Sequence, residues 1–199
     1  MPISRRAIEE GTKILQALLT QPERYGLTAH LIVSGYSSGG NLALNAVLNI
    51  LQSPQTKSLA KKISTLIALS PWTDASLETY HTCPYQAQQQ ADRMCNAAIL
   101  EALKLWALPA GATGKEPHIS PIYRPLEQFK GMPKTTIMVG EVDGILGDSI
   151  QMIQVLKAAG VPNDLIVLKG QSHNHSSHAA LQEDVFTADL IAQIIIKKY

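Results

Sequence analysis

The chain has 199 residues, 45% of them hydrophobic and 17% charged, and its 17 basic and 16 acidic side chains leave a formal charge of +1. That balance excludes disordered, collagen-like and low-complexity architectures. It also offers no general electrostatic pull towards nucleic acid or an anionic membrane. The length fits a single domain, 1–199, with a sizeable core.

Taken in chain order, residues 4–20 place Ile8, Leu15, Leu18 and Leu19 at helical spacing behind a Ser4 N-cap. Pro22 and Gly26 mark a loop. Leu31-Ile32-Val33 is a short apolar run, expected to be a buried strand, and it stops at Ser34-Gly35. Residues 38–52 are small and apolar and predict a helix with Leu42, Ala43, Ala46, Val47 and Ile50 on one face. A polar connection, 53–62, leads to a second buried strand, Ile63 to Leu69, ended by Ser70-Pro71. From Trp72 to about Arg124 the chain is polar, Gln-rich and loop-like, with one clear helix expected near 92–107. Thr135–Gly140 predicts a third strand, about 147–159 a helix closed by Gly160, Leu165–Leu168 a fourth strand, and about 178–197 a last helix. Buried strands separated by helices predict an α/β fold with a mainly parallel sheet of about four strands, covered on both faces.

No stretch approaches the roughly 18 apolar residues that span a bilayer. Met1 to Arg6 lacks the apolar core of a signal peptide, so a cytoplasmic location is expected. Cys83 and Cys95 are too few for a disulfide framework and are expected to be free thiols.

The first strand runs into Gly35-Tyr36-Ser37-Ser38-Gly39, a G-x-S-x-G pattern with a strand before it and a helix after it. Such a turn is tight enough that glycines two before and two after the serine let the neighbouring backbones pass. The N–H groups opening the next helix then face a reacting carbonyl, and Ser38 would supply one oxyanion-hole donor through its backbone N–H. A nucleophilic serine needs a base, and the base an orienting acid, in the order Ser, Asp or Glu, His. The third strand ends in Gly140-Glu141-Val142-Asp143-Gly144, and the fourth is followed by His173, His175 and His178. Groups just past the carboxyl ends of parallel strands share one rim of the sheet.

With those residues in view, the chain resembles an α/β-hydrolase of the hormone-sensitive-lipase and carboxylesterase group. Gly35 to Ala43 looks like that group's GxSxGGNLA elbow, and Leu69-Ser70-Pro71-Trp72-Thr73-Asp74 like its SPWTD segment. Ile119-Ser120-Pro121, Met132-Pro133-Lys134-Thr135 and Gly140-Glu141-Val142-Asp143 resemble its later blocks. The resemblance implies hydrolysis of a small-molecule carboxylic ester through an acyl-enzyme, with Ser37 as nucleophile and Asp143 as acid. For the base, His173-Asn174-His175-Ser176-Ser177 is similar to the HNHxS form of esterases related to kynurenine formamidase, which favours His175. His173, at the Gly170-x-x-His spacing, is the alternative. Asp148 is the second choice of acid, better suited to a helix N-terminus, and Asp74 reads as a loop-organising carboxylate.

The histidine cluster also has the spacing of a transition-metal site. It holds no Cys or carboxylate, and the triad takes one of its members, so neither a metal nor a cofactor is expected. Residues 72–124 are expected to form a cap, with Ile99, Leu100, Leu103, Leu105 and Trp106 either lining an acyl site or docking the cap helix. The resemblance starts late: strands that normally precede the serine strand are missing, and no His-Gly dipeptide supplies the family's second oxyanion donor. The chain is therefore expected to be the C-terminal half of an α/β-hydrolase fold, whether a fragment, a shortened protein that keeps the motif without the activity, or one that needs a partner. The bare edge at Leu31–Val33 would pair with a second copy or a complementing chain.

Overall fold

A computed structural model describes residues 4–27, 31–173 and 189–194. Helix α1 (Arg5–Thr20) opens on Ser4, whose side-chain oxygen accepts from the Ala7 N–H at 3.1 Å. Strand β1 (Leu31–Tyr36) leads into α2 (Ser38–Gln52), and β2 (Ile63–Leu69) follows. A long insertion carries α3 (Glu78–Thr82), α4 (Gln86–Gln90) and α5 (Ala97–Ala107). Strand β3 (Lys134–Gly140), helix α6 (Leu146–Ala158) and strand β4 (Asn163–Leu168) complete the described units, and residues 189–194 are helical.

The four strands form one parallel sheet in the order β1-β2-β3-β4, as the alternation of strand and helix predicts. Side chains alternate between its faces. Leu66 and Ala68 of β2 and Ile137 of β3 enter a core shared with Leu44, Val47 and Leu48 of α2 and Met152 and Leu156 of α6. Ile67, Leu69, Met138 and Leu168 point the other way, and Leu190, Ile191 and Ile194 pack against them. Phe129 is wholly buried in the first core. Each such side chain contributes about 1.5–3 kcal/mol of burial.

Three expectations need correcting. Residues 31–33 are half-buried, not buried, because among the described residues β1 pairs on one side only. The insertion helix starts at Ala97 and not near 92, since Asn96 caps it by accepting from the Ile99 N–H at 3.2 Å. Leu105 and Trp106 neither dock that helix nor stand in a buried pocket; they are 82% and 67% exposed, whereas Leu100 is buried. The ends of the expected last helix lie outside the described residues. Cys83 and Cys95 are both buried free thiols.

Candidate active site

The register aligns the strand ends. Tyr36 lies opposite Leu69, Leu69 opposite Met138, and Gly140 opposite Leu168. Chain leaving β1, β3 and β4 therefore emerges on one rim of the sheet.

Ser37 follows β1 directly and has φ 52° and ψ −119°, a left-handed conformation costly for a residue with a Cβ. Three backbone bonds hold it there. Its N–H donates to the Leu69 carbonyl at 2.8 Å, and its own carbonyl accepts from the N–H groups of Trp72 and Asn41, each at 3.1 Å. Glycine is required at position 35, where a Cβ would stand 2.1 Å from the Gly39 carbonyl oxygen, and at position 40, where it would meet Pro71 at 2.9 Å. At position 39 a Cβ meets nothing within 4 Å, so the second glycine the turn needs sterically is Gly40 and not the motif's Gly39. Ser38 opens α2, where first-turn N–H groups have no carbonyl partner within the helix.

Ser37 Oγ lies 3.0 Å from His173 Nε2. His173 Nδ1 lies 3.0 and 3.2 Å from the two carboxylate oxygens of Asp143. An ionised carboxylate only accepts, so Nδ1 carries the proton and the Nε2 lone pair faces the serine hydroxyl. Asp143 is wholly buried and also accepts from the Ile145 N–H at 2.9 Å. His173 is 7% exposed, with its ring 5.3 Å from that of Tyr36. His175, the expected base, and His178 lie outside the described residues. The place between Ser37 and Asp143 is held by His173, the alternative.

The second-choice acid, Asp148, is engaged elsewhere. It accepts from the N–H groups of Thr73 and Asp74 at 2.7 and 2.8 Å and from the Thr79 hydroxyl. Burial, reinforced by the charge of Asp74, pushes its carboxyl up to about 8 against the pull of those donors. Asp74 organises the loop, accepting from Ser76 and from the Thr79 N–H. Among the described residues, Cys95, Asp143 and His173 bring possible metal-ligating atoms within 4.8 Å of one another. A cation there would compete for His173 and Asp143, and burial together with the nearby carboxylates pushes the Cys95 thiol up, away from the thiolate a metal needs.

Sequence reasoning missed two buried side chains beside the site, Gln89 and Asp92. They sit in the polar insertion, which shows no periodicity to mark them.

A family model described as the alpha/beta hydrolase fold matches residues 5–177. The chain belongs to that family. It is 30% identical over 176 residues to the esterase LipU of Mycobacterium tuberculosis, covering 86% of this chain and 54% of LipU. An esterase of Acinetobacter venetianus is 28% identical over 168 residues, 84% of this chain and 51% of that one. The chain thus spans about half the length of these curated relatives. Among solved structures, EstE5 soaked with ethyl alcohol superposes with a TM-score of 0.77 at 26% identity, over 96% of this chain and 60% of EstE5. The chain's parallel four-stranded sheet flanked by helices is consistent with a partial α/β-hydrolase fold. Among the described residues, no helix is long and apolar enough to cross a membrane.

Proposed function

We propose that the chain is a serine hydrolase of carboxylic esters, with Ser37 as nucleophile, His173 as general base and Asp143 as the acid that orients it. The observation that carries this reading is the unbroken line of contacts at 3.0 Å from Ser37 Oγ through the imidazole to Asp143. Ser37 Oγ attacks the ester carbonyl while His173 Nε2 takes its proton. The tetrahedral oxyanion faces the Ser38 N–H. His173 then returns the proton to the leaving alcohol, and water hydrolyses the acyl-enzyme by the same route. Residues 72–124 act as the cap of a single domain. The relatives' esterase activity supports the substrate class.

The test is labelling by a fluorophosphonate and hydrolysis of a short activated ester. Ser37→Ala should abolish the first and lower the second by at least about a thousandfold. Folded wild-type protein that does neither overturns the proposal.

One observation favours a second reading, a hydrolase unit completed by another polypeptide. Among the described residues β1 pairs with β2 and no other strand, and beside it runs an apolar groove of about 240 Å³ lined by Ile14, Leu18, Val33, Gly39, Leu42 and Ala46. Unpaired strand edges recruit further strands. Loss of one oxyanion donor costs about a hundred- to a thousandfold in rate, so a chain without a His-Gly loop would be slow alone. Light scattering decides: a monomer that turns over esters efficiently removes this reading.

A further inference from the structure

Asp92 touches neither the serine nor the imidazole ring, yet one of its oxygens joins the two loops that bear the acid and the base. Asp92 Oδ2 accepts from the N–H of Gly144, next to Asp143, at 2.8 Å, and from the N–H of His173 itself at 2.9 Å. Its other oxygen accepts from the N–H groups of Met94 and Cys95 at 2.8 and 3.1 Å, which fixes the carboxylate in its own turn. The side chain is 1% exposed, so all four bonds form away from water. Burying a carboxylate is costly unless its lone pairs are filled, and here backbone donors fill them.

The same segment grips the acid loop twice more. Gln89 Nε2 donates to the Gly144 carbonyl at 2.9 Å. The Cys95 carbonyl oxygen would stand 1.6 Å from a Cβ at position 144, so glycine there is what lets the segment close on the loop.

We propose that Asp92 is a positioning residue for the Asp143–His173 pair, acting from the insertion through the backbones of both loops. This rests on the triad reading above. Asparagine fits the same space but offers one oxygen. One pair of N–H groups must then face an amide NH2. Either the Gly144 and His173 amides lose their acceptor, or the turn that aims it does. A displacement of the order of 1 Å in such a group costs about a hundredfold in rate.

The experiment follows the ring protons of His173 by NMR across pH, assigned with His173→Gln, alongside the pH profile of fluorophosphonate labelling. Asp92→Asn should change the His173 titration curve and slow labelling about 10- to 100-fold. Phe129→Leu, in the core behind the sheet, should lower thermal stability and leave both unchanged. A folded Asp92→Asn protein with the wild-type titration overturns the proposal. Should the wild-type chain fail to label, the titration still reads positioning, and only the esterase reading falls. Should Asp92→Asn fail to fold, hydrogen exchange in wild-type protein decides. The Gly144 and His173 amides should be protected to the same degree as those of Met94 and Cys95, and fast exchange of the first two alone overturns the proposal.

Discussion

Strands β1 and β3 are both short, apolar and parallel, and each delivers one member of the candidate triad, but their surroundings differ. β3 is paired on both sides and buried along all but its first residue. Among the described residues β1 is paired with β2 alone, and Ser34 in its middle is exposed. The proposed nucleophile thus leaves the weakly covered strand and the proposed acid the well-covered one. Ser37 is nonetheless held, because its fixing bonds come from inward elements: the Leu69 carbonyl, Trp72 and the first turn of α2. The difference teaches that the accuracy of a site depends on what grips the strand ends, more than on how well each strand is buried.

Gly35→Ala should have the largest effect of the substitutions that probe this contrast. Its new methyl meets backbone at 2.1 Å, and neither partner can move aside. The elbow should fail, seen as a loss of Ser37 labelling together with a large fall in melting temperature. Ile137→Ala in β3, at a wholly buried position, should cost about 2–5 kcal/mol in denaturant unfolding. Val33→Ala in half-buried β1 should cost under about 1.5 kcal/mol in the same assay. Equal losses in the two strands would mean that β1 is covered in solution, as a second chain would cover it.

The pH dependence concerns Asp148 of α6, which bonds to the loop leaving β2. The folded-state carboxyl of Asp148 sits at about 8, above its ordinary value near 4. The folded chain therefore binds this proton more tightly than the unfolded chain. The contribution is fully present below about pH 4 and is lost as pH rises to about 8. Thermal melts should show the wild type losing stability relative to Asp148→Asn between pH 5 and 8, by a few degrees or more. A constant difference across that range contradicts the assignment. The smallest effect is expected at Gly39→Ala. Its methyl enters open space beside the groove, and stability should change by less than about 1 kcal/mol.

The elbow and the parallel sheet were legible because each leaves a local mark: glycines around a serine, apolar runs and, for the proposed triad, acids and histidines just after them. The choice between His173 and His175 was not, since two histidines two residues apart in one loop differ only in where that loop turns. Here the loop is fixed by the Asp92 carboxylate, more than 80 positions away in sequence. Asp92 and Gln89 left no mark because their partners are backbone groups, which every sequence has. The half-burial of β1 was obscured for another reason. Leu31-Ile32-Val33 is as apolar as an internal strand, and only the pairing reveals that no described strand pairs on its far side.

The grip of Asp92 on both loops also bears on how the proposed substrate would enter. A lid that swung residues 86–96 away from the sheet would take the acceptor of the Gly144 and His173 amides with it and disassemble the machinery it uncovered. Opening and catalytic competence would then exclude each other. The far end of α5, where Leu105 and Trp106 face solvent, lies outside the segment that bonds the two loops. On the proposed mechanism, substrate entry and product release would therefore have to leave residues 86–96 in place.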